Sequence, residues 1–257
     1  MADERRQTRR SSATSLRTAA LLAAVTDLAT LRQDTLGRPL RVLDLGGGTG
    51  GLAVPLAELG HDITVVDPSP DALAALERRA AESGVAEHIT ARQGDADSLA
   101  EVRPVDGFDL VCCHGVLEVV DDPASALAAV AVALSRDGRL SLLVAGRLAV
   151  VLAKALAGEF TQAREALTSA DGRWGRTDPL PRRFDIEQLE SLLDGAGFTS
   201  EHVHGVRLFS DLVPSESIDS TADRAALLEL EQAVADHPAY AFLGGLGAGI
   251  HVLARRA

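Results

Sequence analysis

Cysteine is scarce in this chain, which has two in 257 residues, at adjacent positions. Because neighbouring residues of a strand point to opposite faces, Cys112 and Cys113 predict neither an ordinary disulfide nor a CxxC metal site. We therefore expect two core thiols and no bound metal. This use of cysteine fits the reducing conditions of the cytoplasm.

The chain also lacks a long apolar run and an excess of basic residues. Its 37 acidic residues outnumber the 25 lysines and arginines, which gives a formal net charge of −12. An acidic chain is poorly suited to general nucleic-acid binding, which depends on neutralising phosphates, although it leaves room for a local basic patch. No stretch has the length of a transmembrane helix, so we expect no membrane partner.

The basic N-terminus, RRQTRRSSATSLRTAALLAAV, has some likeness to a twin-arginine export signal. Its apolar run over residues 19–25 is short and is flanked by Arg17 and Asp27, whereas leucines recur at helical spacing. We predict a disordered basic tail over residues 1–13, followed by an amphipathic helix over residues 14–34.

Strand and helix patterns alternate at short intervals after that helix. Helical patterns with caps, of which SPDALAALERRAAESG is the clearest, separate the apolar strand patterns RVLDL, DITVVD, HITARQGD, FDLVCCHG and GRLSLLVAG. Two later strand patterns, in TSEHVHGVRLFSDL and GIHVLARRA, flank a helical pattern over residues 221–236. Such alternation predicts an α/β fold with a parallel sheet and helices on both faces.

We interpret residues 14–257 as a single domain. Its core, residues 38–145, contains the alternating elements. Residues 146–185 interrupt them with a short helix and a stretch rich in Arg, Gly and Pro, which we interpret as an insert or lid over the carboxyl edge of the sheet. Residues 186–257 complete the domain with helices and strands.

A glycine-rich stretch, VLDLGGGTGG, follows the first strand directly. In such sheets, ligands bind outside the carboxyl ends of the strands, where bare backbone allows close approach. Gly46, Gly48 and Gly51 also match the dinucleotide pattern G-x-G-x-x-G. A match of this kind by itself leaves open a tight turn with no ligand.

Acidic residues at the strand ends favour a nucleoside ligand. Asp67 ends the second strand, where a carboxylate can bind both ribose hydroxyls, or alternatively cap the next helix. In GDAD, the Ala96 amide and the Asp97 carboxylate suit an adenine ring, although ordinary turn chemistry explains them as well. Asp44 precedes the glycines and would repel a pyrophosphate, so it suits a positively charged ligand.

Successive stretches over residues 41–145 resemble the motifs of class I S-adenosylmethionine-dependent methyltransferases: VLDLGGGTG, VVDPSPDALAALERRA, GDADSL, FDLVCCHGVLEVVDDP and LSRDGRLSLLV. The resemblance implies S-adenosyl-L-methionine as cofactor. It also implies a Rossmann-like fold with a mostly parallel seven-stranded sheet whose last strand is antiparallel. Further stretches are similar to the bacterial tRNA 5-carboxymethoxyuridine methyltransferase family over nearly the whole chain: HGVLEVVDDP, LAGEF, GVRLFSDL, ALLELE and GIHVLARR.

The resemblance also implies roles for individual residues. Those expected to contact the cofactor are Arg17, Gly47, Gly48, Asp67, Ala96, Asp97 and His114, to which the reading of the loop adds Asp44 and Gly46. The expected substrate-binding residues are Arg207, Arg147, Glu118 and Trp174, with Arg173, Arg176, Arg182 and Arg183 as further candidates in the insert. For each insert arginine, Arg147 included, a solvated loop charge is the more ordinary explanation.

The resembled family methylates the carboxylate of a modified uridine at the tRNA wobble position. A carboxylate is already an anionic nucleophile at neutral pH, so no general base is required, and the residues contain no convincing set for one. Three alternatives stay open: a methyltransferase for a small molecule, a nicotinamide oxidoreductase that uses the glycine pattern, and a cofactor-binding protein without activity.

Overall fold

The structure, a computed structural model, describes residues 21–214, 218, 220–235 and 237–257. Its centre is one seven-stranded sheet. The strands are β1 (Arg41–Leu45), β2 (Asp62–Asp67), β3 (Ile89–Gln93), β4 (Phe108–His114), β5 (Leu134–Ala145), β6 (Phe198–Val206) and β7 (Gly249–Arg256).

The strand order is β3-β2-β1-β4-β5-β7-β6. Strands β1 to β5 pair in parallel, and β7 lies antiparallel between β5 and β6. The predicted fold is thereby confirmed, including the antiparallel last strand.

Helices cover both faces of this sheet. They are α1 (the described part of which spans residues 21–36), α2 (Ala53–Glu58), α3 (Pro70–Glu82), α4 (Leu99–Val102), α5 (Pro123–Ala133), α6 (Arg147–Leu156), α7 (Phe160–Thr168), α8 (Ile186–Gly195) and α9 (Thr221–Ala235). Short 3-10 helices span Ala86–His88, Ala96–Ser98 and Pro238–Leu246.

Two apolar clusters form the core, one on each face of the sheet. Helices α1, α2 and α3 bury side chains in one cluster, and α4, α5 and α8 bury side chains in the other. Cys112 belongs to the first cluster and Cys113 to the second. The alternation of side chains along β4 therefore separates the two thiols, as predicted.

Local sequence explains where the helices after β2 and β4 begin. The Ser69 hydroxyl accepts a hydrogen bond from the Ala72 amide at 3.2 Å, and Pro70 occupies the first turn of α3. Asp122 caps α5 in the same way, through the Ala124 amide at 2.9 Å. Such caps satisfy amides that have no partner within the helix.

Two elements depart from the sequence-based expectation, and one expectation stays untested. Strand β5 begins at Leu134, before the predicted strand pattern GRLSLLVAG, because Leu134 pairs with Phe108 across a register shift. Helix α7 occupies part of the predicted irregular insert, and its buried Ala163 and Ala166 show a helical spacing that is short and weakly apolar. The predicted tail and the start of the helix at residue 14 lie outside the described residues.

The two thiols supply a test of the core. Both Cys112 and Cys113 are completely buried, and burial raises the pKa of each thiol. Because the thiolate is the reactive form, neither should react with a chromogenic disulfide reagent in the native protein, and both should react in denaturant. Rapid reaction of either thiol in the native protein would contradict the described packing.

Candidate functional site

A cavity of about 640 Å³ opens at the carboxyl ends of β1, β2 and β4. Strand β2 lies on one side of β1 and β4 on the other, so the strand order reverses there, and α/β proteins bind ligands at such a point. The lining includes Gly46, Asp67, Ala96, Asp97 and His114. The structure thus brings five of the expected cofactor-binding residues to one cavity.

The glycine loop covers the Asp44 side chain, which is buried behind the cavity and is not one of its lining residues. A Cβ on Gly47 would lie 2.5 Å from the Asp44 carboxylate oxygen, so no other residue fits there without movement. Gly46 and Gly48 have positive φ angles of 72° and 56°, which other residues rarely adopt. Gly51 is the third glycine of the dinucleotide pattern, where it normally allows a helix to pack closely on a strand. Here a Cβ on Gly51 would lie in open space, so that close packing is missing.

Asp44 is a buried carboxylate with one oxygen unsatisfied. Its side chain is 3% exposed, and Oδ2 has no hydrogen-bond partner among the described residues. Burial, together with the nearby charge of Asp67, raises the pKa of Asp44 to about 7. The arrangement stabilises a positive charge that comes close to the two carboxylates.

Asp67 joins the glycine loop after β1 to the loop between β2 and α3. Its Oδ2 accepts a hydrogen bond from the Gly48 amide and its Oδ1 one from the Ser69 amide, both at 2.9 Å. The Ser69 hydroxyl caps α3, so Asp67 does not form the helix cap that was its alternative role. Each oxygen retains a lone pair that can accept from a ligand hydroxyl.

The third wall is the turn that ends with the short helix Ala96–Ser98. Asp95 accepts from the Asp97 amide at 3.0 Å, and Ser98 completes a capping box with it. Ala96 is buried and is the first residue of this helix, so its N–H is not used within the helix. The Asp97 side chain is exposed. The turn therefore offers a backbone donor and a carboxylate side by side.

His114 closes the cavity at the end of β4. Its Nε2 lies 2.9 Å from the Ser141 hydroxyl. Burial lowers the pKa of His114 to about 4, so the imidazole is neutral at physiological pH.

A second cavity, of about 190 Å³, lies at the same edge of the sheet between the ends of β5 and β6. Arg207 and Arg183 line it with Asp211 and apolar residues of α6. The Arg207 guanidinium lies 3.5 Å from the Asp211 carboxylate. The cavity thus combines an apolar wall with cationic groups.

Arg207 has an unusual backbone conformation that a neighbouring carboxylate supports. Its φ angle is +58°, the one positive value among the described residues other than glycine. The Glu231 carboxylate on α9 accepts from the Arg207 amide at 3.1 Å and from the amides of Phe209 and Ser210 at 3.1 and 2.8 Å. The sequence analysis did not identify Glu231, because its support of Arg207 depends on a tertiary contact between α9 and the loop after β6.

Glu118 lines neither cavity, but it joins the turn beside the first cavity to the strand end beside the second. It lies in the turn after β4, and its Oε1 accepts from the Ala145 amide at 2.7 Å, at the end of β5. The side chain is 4% exposed, and Oε2 has no hydrogen-bond partner among the described residues. Burial raises the pKa of Glu118, while its own backbone and the Ala145 amide oppose that shift.

The insert residues are used mainly to hold the insert together, which corrects the expectation for Arg147. Arg147 is 5% exposed and donates to the carbonyls of Ser169 and Ala170, with Asp185 2.9 Å away. Arg183 pairs with the buried Asp178 at 2.7 Å.

Of the remaining insert candidates, Arg182, Arg173 and Trp174 make contacts within the fold. Arg182 donates to the carbonyl of Val120 at 2.6 Å. Arg173 donates to the carbonyl of Arg176 at 3.4 Å, and Arg176 itself is exposed. The ammonium of Lys154 lies 4.0 Å from the centre of the Trp174 ring, so one face of that ring is covered.

Three further expectations concern Arg17, a bound metal ion and a membrane-spanning helix. Arg17 lies outside the described residues. Among residues 21–257, apart from the gaps named above, no group of three or more His, Cys, Asp or Glu could hold a metal ion. No helix in the same part of the chain is long and apolar enough to cross a membrane.

Comparison with known proteins decides the family. A family model described as a methyltransferase domain matches residues 43–140. The chain is 32% identical over 219 residues to the tRNA 5-carboxymethoxyuridine methyltransferase of Escherichia coli, covering 84% of this chain and 80% of that one. This chain belongs to the class I S-adenosylmethionine-dependent methyltransferases.

Two further similarities concern a curated relative and the fold. The ubiquinone biosynthesis O-methyltransferase of Azorhizobium caulinodans is 30% identical over 167 residues, 65% of this chain and 62% of that one. The structure of magnesium protoporphyrin IX methyltransferase from Synechocystis superposes with a TM-score of 0.58 at 17% identity, covering 95% and 86% of the two chains. Membership of the methyltransferases decides against the nicotinamide oxidoreductase, and the cofactor is S-adenosyl-L-methionine.

The pKa of Asp44 predicts a change of stability with pH. Its value in the folded protein, about 7, lies above its value of about 4 in an unfolded chain, so folding takes up a proton between these values. The contribution of Asp44 to the unfolding free energy therefore falls as the pH rises from about 4 to 7, by on the order of 4 kcal/mol.

Urea unfolding of the ligand-free protein at pH 5 and pH 8 measures this effect. The unfolding free energy of Asp44→Asn, relative to that of the unsubstituted protein, should increase with pH, because asparagine does not titrate. The histidines and other carboxylates are common to both proteins and cancel in the comparison. An unchanged difference between pH 5 and pH 8 would contradict the raised pKa.

Proposed function

We propose that the cavity at the ends of β1, β2 and β4 binds S-adenosyl-L-methionine between Asp44 and Asp67. The unsatisfied Oδ2 of the buried Asp44 supports this assignment, because the cofactor is a cationic nucleoside that has no phosphate. At Gly48 a Cβ would have no atom closer than Asp67 Oδ2 at 3.9 Å, so the backbone beside Asp67 is bare there. A pyrophosphate in the same place would be repelled by both carboxylates.

Each wall of the cavity is then matched to a part of the cofactor. Asp67 accepts from the ribose hydroxyls with the lone pairs that Gly48 and Ser69 leave unused. The Ala96 amide and the Asp97 carboxylate bind the adenine edge, and His114 lies at the end of β4. Arg17, outside the described residues, remains a candidate for the methionine carboxylate.

We further propose that the enzyme O-methylates a carboxylate, that of a 5-carboxymethoxyuridine at the tRNA wobble position. The E. coli relative supports this substrate by its name and by its coverage of most of both chains. The observation in this chain that carries the proposal is Arg207, which lines the second cavity and whose backbone Glu231 holds. An anionic acceptor there would pair with the guanidinium in place of Asp211, which lies 3.5 Å away.

The chain's own residues need only bind and align the reactants in this reaction. When bound, the cofactor supplies a methyl group activated by a sulfonium. Arg207 orients the carboxylate, Glu118 fixes the turn between the two cavities, and the insert over residues 146–185 restricts water at the carboxyl edge. A carboxylate gives up no proton on methylation, so no general base is used.

A small-molecule acceptor is the second candidate, and specific observations favour it. The insert arginines bond mostly to carbonyls and carboxylates of the chain, and Trp174 has one ring face covered. RNA recognition relies on free stacking surfaces and positive charge, which this surface offers sparingly. The Azorhizobium relative bears the name of an O-methyltransferase of ubiquinone biosynthesis.

The ribose assignment predicts the effect of Asp67→Ala on cofactor affinity. Loss of the ribose hydrogen bonds should weaken S-adenosylhomocysteine binding by roughly 1–3 kcal/mol in calorimetry. Asp62→Ala, at the exposed start of the same strand, is the matched control and should bind normally. Unchanged affinity in Asp67→Ala would refute the assignment.

The acceptor assignment predicts a selective effect of Arg207→Gln. With radiolabelled cofactor and tRNA that carries unmethylated 5-carboxymethoxyuridine, KM for the tRNA should rise about tenfold or more, because a charge-assisted hydrogen bond is lost. The affinity for S-adenosylhomocysteine should not change. Arg136→Gln, an exposed arginine of β5, is the control.

The labelled product distinguishes the two candidate acceptors. A methyl ester in the RNA fraction that mild alkali removes supports the carboxylate of tRNA. Label that appears only in a small-molecule fraction of cell extract, or as an alkali-stable ether, would contradict the tRNA proposal and favour the second candidate.

A further inference from the structure

The turn between β4 and α5, residues 115–122, forms one wall of the first cavity. Val116, Val119 and Val120 line that cavity from this turn, together with Gly115 and the two aspartates at its end. The insert over residues 146–185 is described throughout, and none of its residues is among the lining of the first cavity. Any influence of the cofactor on the insert therefore has to pass through intervening groups.

One side chain of the insert holds this turn by its backbone. The guanidinium of Arg182 donates to the carbonyl of Val120 at 2.6 Å and to the carbonyls of Leu117 and Asp121, both at 3.3 Å. An arginine suits this role, because its planar guanidinium presents several donors in a fixed geometry. The position of the turn, and with it the wall of the first cavity, therefore depends on where the insert places Arg182.

The segment that contains Arg182 is itself cross-linked by hydrogen bonds. The neighbouring Arg183 donates to both oxygens of the buried Asp178, at 2.7 and 3.0 Å. The same carboxylate accepts from the amides of Trp174 and Leu180, both at 3.0 Å. Arg183 also lines the second cavity. Two adjacent arginines thus join the turn at the first cavity to the wall of the second.

Glu118 makes a second connection from the same turn. Its Oε1 accepts from the amide of Ala145, which lines the second cavity. Glu118 is buried in the core, so its replacement would also disturb the packing around it. Arg182 is only half-buried, so it is the connection that a substitution can remove with less effect on the fold.

We propose that Arg182 is a positioning residue that couples the two cavities, so that a nucleoside bound in the first cavity stabilises the insert that forms a wall of the second. The nucleoside restricts the turn, and the turn restricts the insert through Arg182. Coupling between two sites is reciprocal, so an acceptor held by the insert raises the cofactor affinity by the same factor. The inference rests on the proposed cofactor site and applies equally to a tRNA or a small-molecule acceptor.

Hydrogen–deuterium exchange with and without saturating S-adenosylhomocysteine, read by mass spectrometry, tests this coupling in the absence of any acceptor. In the unsubstituted protein, exchange should slow in the glycine loop, where the nucleoside binds, and also in residues 171–184 of the insert. The slowing in the insert should be about fivefold, at the lower end of typical coupling between sites. In Arg182→Gln, the slowing in the glycine loop should persist and the slowing in the insert should be lost.

Two further variants separate coupling from folding. Arg182→Lys keeps a charged donor and should recover part of the slowing in the insert. Arg164→Gln, at an exposed arginine of α7 in the same insert, should respond like the unsubstituted protein. If Arg182→Gln raised exchange in the insert equally with and without the nucleoside, so that their ratio stayed as in the unsubstituted protein, Arg182 would be merely structural and the inference would be overturned.

The outcomes distinguish this inference from the proposed function. Slowing in the glycine loop alone, in the unsubstituted protein, would overturn the coupling and leave the cofactor site intact. No slowing in either segment would contradict the cofactor site itself, and the inference with it.

Tryptophan fluorescence gives an independent readout of the insert. The chain has one tryptophan, Trp174, which is not among the residues that line the first cavity. Saturation with S-adenosylhomocysteine should change the emission of Trp174 in the unsubstituted protein and leave it unchanged in Arg182→Gln. An equal change in both proteins would overturn the role of Arg182.

Discussion

A carboxylate that is buried without a full set of partners is the constraint on which this site depends. Asp44 lies beneath a loop in which Gly47 leaves no room for a side chain, and its Oδ2 is unsatisfied among the described residues. Burying a charge in this way is costly unless an opposite charge or a proton compensates it. In the ligand-free protein, a proton on Asp44 compensates the buried charge. In the complex, the positive charge of the ligand does so. The same carboxylate thus favours S-adenosyl-L-methionine over a dinucleotide.

Much of the fold could be predicted, because strand periodicity and helix caps are local. The bounds of β1, β2 and β4 follow from apolar runs that end at polar or glycine residues, and Ser69 and Asp122 mark the helix starts. The start of β5 could not be predicted in this way. There β5 pairs with β4 at Leu134 and again from Arg139, and the Arg-Asp-Gly stretch between them lies in a register shift that depends on this pairing.

The residues that line the first cavity were easier to place from the sequence than the arginines of the insert, for a physical reason. Residues such as Asp67 and Ala96 follow strands directly, so the strand order alone brings them together. The insert arginines do not follow strands of the sheet. Their positions depend on pairing with the buried Asp178 or with backbone carbonyls. Glu231 was missed because nothing near it in sequence indicates that its carboxylate supports Arg207.

Proton release on cofactor binding tests the central claim most directly. At pH 7, about half of the Asp44 carboxyls are protonated, and a cationic ligand nearby lowers that pKa. Calorimetric titration with S-adenosyl-L-methionine, in two buffers of different ionisation enthalpy, should therefore show release of about half a proton per molecule bound. Asp44→Asn should abolish that release. Binding with no proton release in the unsubstituted protein, or with equal release in Asp44→Asn, would contradict the account.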